Sequence, residues 1–167
     1  LKIDPLMHGG GHEMGLRSGT HNVPGIVGMA LALQLMEKHR TDENTRLEEY
    51  AALFKDLLTK SGIEFYLNGP EKDRLPGNLN ICLKGVDADW LTAVIPEIAI
   101  ARGSACTSET IQPSHVLRAI GVSDEDANSS IRISFGRFTT KDEVIRAANL
   151  IIKQVNSFIE KKEIMAI

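Results

Sequence analysis

An α+β fold is predicted: a small, mostly antiparallel sheet of three or four strands with helices packed on one face, preceded by a long helical linker. Three observations predict it. Apolar residues recur at helical spacing after residue 23, and again from residue 140 to the end of the chain. Short runs between those segments alternate apolar and polar residues instead, as strands do. Glycine, proline and short hydroxylated or acidic stretches separate the runs, so the elements are brief and closely connected.

In chain order, residues 1–22 lack periodicity and are dense in glycine, and they read as loop. Asn22 can cap a helix that carries Pro24 in its first turn. Ile26, Val27, Ala30, Leu31, Leu33 and Leu35 then suit a largely buried helix. After the polar stretch "HRTDENTR", Leu47, Tyr50, Ala51, Phe54, Leu57 and Leu58 recur at helical spacing up to Gly62. Either one helix runs through or two meet near Thr41. "IEFYLNGP" reads as a strand and turn, and "GNLNICLKG" as a second strand with Leu79, Ile81 and Leu83 on one face. "DADWLTAVIP" fits a short helix capped by Asp87, and "EIAIARGS" a third strand. "PSHVLRAIG" fits a short helix stopped by Gly121. "SSIRISFG" alternates Ile131, Ile133 and Phe135 against Arg132 and Ser134. The last helix opens with a capping box, Thr140 to Glu143, and carries the apolar stripe Val144, Ala148, Ile151, Ile152, Val155 and Ile159.

The 167 residues are 43% hydrophobic and 25% charged, with a net charge of −3. This is the composition of a globular domain, and its charge argues against nucleic acid or an anionic membrane surface as partner. Uninterrupted apolar runs fall far short of the ~20 residues of a membrane span. Two cysteines make no disulfide framework, so a reducing cytoplasm is the expected setting. The chain begins with Leu and enters directly into a glycine-rich motif, from which part of a longer protein is expected.

Four features can carry chemistry. Cys106 lies in "GSACTS", among residues too small to enclose it, with Arg102 nearby; it reads equally as an exposed reactive thiol or as a small residue that happens to hold sulfur. Cys82 lies in a strand among apolar residues and reads as core, although strict alternation sets it opposite Ile81. "MHGGGHEMGLRSGTHN" offers backbone N–H groups, Ser18 and Thr20 to a phosphate. It lacks the lysine of a nucleotide-binding loop, and no helix aligns His8 with His12 for a metal. Arg132, in phase with the solvent face, is a surface arginine by pattern and a bidentate carboxylate clamp by chemistry. His115 follows Cys106 at a distance that permits a Cys–His pair, but a polar residue at a helix start explains it as simply.

The collinear segments "GGGHEMGLRSGTHNVPGIVG", "LPGNLN", "GSACTS", "PSHVLRAIG" and "SSIRISFGRFTTKDEV" resemble the C-terminal portion of cysteine desulfurases of the iron–sulfur-assembly and nitrogenase-associated branch. These are fold-type I enzymes dependent on pyridoxal phosphate (PLP), and the resemblance covers nearly the whole chain. It implies the aminotransferase-like small domain for residues 46–167, a linker helix for 23–45, and for 1–22 a loop from the edge of a large PLP-binding domain. It implies that Cys106 is the catalytic cysteine, which takes sulfur from L-cysteine as a persulfide and leaves alanine. Thr20 resembles the threonine that contacts the PLP phosphate of the neighbouring subunit in a homodimer, and Arg132 the arginine that binds the substrate carboxylate. His115 matches no catalytic role. A sulfur-acceptor or scaffold protein is the implied partner.

The sequence also departs from that pattern. The Ser-x-His-Lys motif that supplies the Schiff-base lysine is absent, so the chain alone is expected to bind no PLP and to be inactive. Ala101 and Arg102 stand where serines are common, and Met14 where a basic residue is common. The alternative reading is a separately encoded, non-catalytic sulfur-accepting, scaffold-binding or remnant module.

Overall fold

Asn22 caps the first helix as its side chain allows: Oδ1 accepts from the backbone N–H of Gly25 at 3.1 Å and the carbonyl from that of Ile26 at 2.9 Å. The structure is a computed structural model and describes residues 3–102 and 113–165. From its cap, α1 (Val23–Lys60) runs as one helix. It is followed by β1 (Phe65–Leu67), β2 (Asn78–Leu83), α2 (Ala88–Val94), β3 (Ala101–Arg102), α3 (His115–Ala119), α4 (Asp124–Asn128), β4 (Ser130–Ser134) and α5 (Lys141–Met165). The chain forms two compact units, Leu1–Thr41 and Asp42–Ile167, and α1 contributes to both.

The second unit is built on a four-stranded sheet in the order β1-β2-β4-β3, every pair antiparallel. Register decides what each strand buries. Leu79 pairs with Ile133 and Ile81 with Ile131, so these side chains share one face. That face meets Phe54 and Leu58 of α1, Ala88 and Leu91 of α2, and Val144, Ala148, Ile151 and Val155 of α5, all buried in one apolar cluster. The expected stripe of α5 is therefore its core face, and Ile152 and Ile159 pack at its margin. Phe54 sits at the centre, fully buried, with its ring 5.8 Å from that of Phe135. The capping box also forms: Thr140 N–H donates to Glu143 Oε2 at 2.8 Å, and Glu143 N–H to Thr140 Oγ1 at 3.3 Å. Hydrogen bonding to Thr140 holds the Glu143 carboxyl below its usual range.

Gly77 is a position where only glycine serves. Its φ is +70°, and a Cβ there would lie 3.0 Å from the carbonyl oxygen of Phe135. The close approach lets Phe135 N–H donate to Gly77 O at 2.7 Å, which extends the β2–β4 pairing beyond Ser134.

Three expectations change. The N-terminal half of α1 is exposed rather than buried: Val27 is 61%, Leu31 54% and Leu33 60% accessible. Together with Met29 and Met36, the apolar residues at 26, 27, 30, 31, 33 and 35 point to nearly every side of the helix, so no single packing face can cover them. The third strand starts later than "EIAIARGS", because the chain turns at Pro96 and reaches β4 only at Ala101. Glu97–Ile100 thus stands off from β4 and α5, leaving a cleft of about 420 Å³ with Phe135 and Ile151 in its wall. Finally, helices do not keep to one face. The unpredicted α4, capped by the Ser123 side chain on Asp126 N–H, covers part of the other. Its sequence, "DEDAN", is too short and polar for periodicity; the signal was a serine cap followed by three acidic residues in the first turn.

Replacing Phe54 with Ala should destabilise the second unit by about 3–5 kcal/mol, because it opens a cavity where the three helices meet the sheet. Denaturant unfolding of wild type and variant checks this; a loss below 1 kcal/mol would contradict the central placement of Phe54.

Candidate functional site

Within the first unit, residues 7–21 fold as a clasp. Ser18 is buried although its neighbours are exposed, and its hydroxyl donates to Gly10 O while its N–H donates to Met7 O at 3.1 Å. Arg17 Nη1 donates to the carbonyls of both Gly19 and Thr20, each at 3.1 Å, and so fixes the turn that presents Thr20. Gly19 takes φ +101° in that turn. On the other side His21 Nε2 lies 3.0 Å from Glu13 Oε1, and its ring packs edge-on against His12. Thr20 is exposed, and its hydroxyl has no hydrogen-bond partner among the described residues.

Within the second unit, Arg132 occupies the middle of β4 on the face away from the apolar cluster, as the alternation predicted. Asn80 of β2 pairs with it on one side and Ala101 of β3 on the other. Every described arginine except Arg132 and Arg146 bonds to another described residue. Arg132 thus presents an exposed guanidinium without a carboxylate from the described chain. Cys106 falls in the segment 103–112, which lies outside the described residues. The residues at its borders are held: Arg102 binds Asp89 and donates to Asn128 Oδ1 at 2.9 Å, and Ser114 Oγ caps α3. His115 opens α3 as an exposed residue.

Cys82 is fully buried, yet it lies on the face opposite Ile81. Alternation and burial are both satisfied because α4 covers this end of the second face. Cys82 Sγ lies 3.7 Å from Asp126 Oδ1, and Cys82 pairs in register with Tyr66 and Ser130. Burial pushes the Cys82 thiol up from its ordinary value, and burial together with Cys82 and Asp126 pushes the Tyr66 hydroxyl up. Asp126 goes the other way: its hydrogen bond from Lys84 Nζ at 2.7 Å, aided by Tyr66, lowers it to about 2. Sequence reading missed this polar cluster because its members come from β1, β2, α4 and β4.

The chain belongs to the class-V aminotransferase family, whose model matches residues 5–146. More narrowly, it is related to cysteine desulfurases. It is 42% identical over 159 residues to "Cysteine desulfurase IscS" of Ruthia magnifica, covering 93% of this chain and 38% of that protein. The corresponding protein of Pseudomonas entomophila is 42% identical over 160 residues, covering 96% and 39%. A solved NifS-like protein from Rickettsia africae superposes with a TM-score of 0.77 at 27% identity, over 94% of this chain and 41% of that one. A second solved NifS-like protein gives 0.74 at 29%, over 96% and 40%. The chain therefore spans about two fifths of the length of these relatives.

The family implies PLP in the full enzyme. The described residues fit one end of it: the free Thr20 hydroxyl, on a turn clamped by Arg17, suits a phosphate oxygen. They do not fit the aldehyde end, which needs a lysine amine kept partly desolvated. No described lysine is buried, and Lys84 is committed to Asp126.

Two outcomes are expected. Cys82 should resist a brief treatment of folded protein with a thiol-alkylating reagent and react once the protein is denatured, as peptide mapping would show; rapid labelling in the folded state would contradict its burial. Because the folded Asp126 pKa lies below its unfolded value near 3.9, the stability it contributes is present above about pH 4 and lost as pH falls toward 2. Asp126→Asn should flatten that part of the stability–pH profile, measured by denaturant unfolding; an unchanged profile would count against the Lys84–Asp126 bond.

Proposed function

We propose that this chain is the C-terminal part of a PLP-dependent cysteine desulfurase, in which Arg132 holds the carboxylate of L-cysteine and Cys106 takes its sulfur. The observation that carries the reading is the register of Arg132 with Ala101. It sets an unpaired guanidinium beside the strand that leads, within a few residues, to Cys106. Relatives at 42% identity named cysteine desulfurase supply the reaction class.

Bound PLP would supply the electron sink that makes the substrate's C–S bond breakable. The role of this chain is to orient and to accept. Arg132, with donors in a planar fork, binds the carboxylate bidentately and fixes the amino acid relative to the thiol. The Cys106 thiolate attacks the substrate sulfur, a new S–S bond forms, and the C–S bond breaks. Its electron pair stays with carbon, which is protonated to the methyl group of alanine. Thiol and cysteine become persulfide and alanine, with no outside oxidant. Small neighbours in "GSACTS" suit a tether that then carries the persulfide to a sulfur-acceptor or scaffold protein.

Thr20 takes the phosphate of PLP held by the neighbouring subunit, so the active form is a homodimer. The chain by itself binds no PLP, since its described lysines stay at the surface or bond to carboxylates. The acceptor is proposed only as a protein able to receive a persulfide sulfur.

In the complete enzyme, Cys106→Ser should abolish persulfide formation and alanine release while the cofactor absorbance persists. Arg132→Ala should raise KM for L-cysteine roughly 10- to 100-fold, the loss expected for a charge-assisted contact. Steady-state assays with mass spectrometry of the enzyme check both. A persulfide on the Cys106→Ser enzyme, or an unchanged KM for Arg132→Ala, would overturn the assignment.

A further inference from the structure

Asn80 is the cross-strand neighbour of Arg132 on the open face of the sheet. Directly paired residues of antiparallel strands hold their Cβ atoms about 4.5–5.5 Å apart on the same face. On its other side Asn80 adjoins Asn68, whose N–H donates to Asn80 O at 2.8 Å as β1 ends. Asn68 is nearly fully buried, and its side chain sets the orientation of Asn80: Asn68 Nδ2 donates to Asn80 Oδ1 at 2.7 Å and to Ser130 Oγ at 2.9 Å. Ser130 Oγ in turn donates to Asp126 O at 2.6 Å. The Asn80 amide therefore has its oxygen turned to β1 and bonded there. Its Nδ2 donors are left without a partner among the described residues.

A half-buried amide with its acceptor used and both donors free is a poor match for an exposed guanidinium, which has only donors. The two groups share a need for an acceptor. A carboxylate supplies it: two oxygens with about four lone-pair directions can take a fork from arginine and a further N–H from the side. Asn68 makes this arrangement rigid. Its own Oδ1 is a buried acceptor with no partner among the described residues, so its position is governed by the two bonds its Nδ2 makes. A lone surface asparagine would not be held in this way.

We propose that Asn80 Nδ2 is a second donor to the α-carboxylate bound by Arg132, and that Asn68 is the positioning residue that turns it there. The ligand class is an α-amino acid. The proposal rests on the reading of Arg132 as the carboxylate-binding residue and adds a residue that selects for a carboxylate over an uncharged substituent.

The test uses the complete enzyme with Asn80→Asp, Asn80→Ala and, as a reference, Arg132→Ala. Asn80→Asp is nearly isosteric and keeps the acceptor for Asn68, so it remains informative if Asn80→Ala fails to fold. Initial rates give KM and kcat for L-cysteine. Competitive inhibition is then compared for L-alanine, which carries the carboxylate, and ethylamine, which does not. Expected are a rise in KM and in the L-alanine inhibition constant of roughly tenfold for Asn80→Ala, and a larger rise for Asn80→Asp. kcat should stay within about twofold and ethylamine inhibition should be unchanged in both. If both Asn80 variants leave L-alanine inhibition unchanged, or weaken both inhibitors equally, while Arg132→Ala loses L-alanine selectively, this proposal falls and the reading of Arg132 stands. If Arg132→Ala shows no selectivity between the two inhibitors, both fall.

Discussion

The antiparallel pairing of β2 with β4 is the constraint on which the rest of the second unit depends. Strand side chains alternate with a period of two, so one register assigns every residue of both strands to a face. Leu79 opposite Ile133 and Ile81 opposite Ile131 build the floor on which α1, α2 and α5 pack. The same register puts Asn80 opposite Arg132 on the other face. A slip by one residue would turn Arg132 toward Phe54 and Ile151 and bring Ile131 and Ile133 to the open side. Core and candidate binding surface are thus two consequences of one alignment, and the position of Arg132 on that surface is as fixed as the core beneath it.

The open face is treated differently at its two ends. Toward β1, α4 covers Cys82 and Ser130, and the exposed Lys84–Asp126 bond rims the cover. A thiol held there is desolvated and kept protonated, which suits a packing role. Toward β3 Arg132 is exposed among the described residues and stands between Asn80 and Ala101. Of the two cysteines of the chain, Cys82 is withdrawn from reagents by α4, and Cys106 lies in the sequence segment that follows Arg102.

In the first unit, order comes from hydrogen bonds to backbone carbonyls. Ser18 and Arg17 between them bond Met7, Gly10, Gly19 and Thr20. This accounts for the glycines and polar residues of the motif, which carry little apolar surface of their own. The exposed apolar residues that follow in α1 have the opposite character and bury little within that unit.

Local chemistry was legible in the sequence. The Asn22 cap, the Asp87 cap, the Thr140–Glu143 box, the α5 stripe and the alternation around Arg132 each depend on residues within a turn or a strand, so spacing reveals them. The resemblance to cysteine desulfurases was legible for the same reason, since its motifs are contiguous. Tertiary structure decided what spacing cannot carry: that the chain turns at Pro96 and joins β4 only at Ala101, that Cys82 is buried opposite Ile81 because α4 lies over it, and that the apolar half of α1 is exposed. It also decided the neighbours of Arg132. Asn80 and Ala101 lie far from it in the chain and reach it only through sheet pairing, and pairing between distant strands is set by the packing of the whole core rather than by any local pattern.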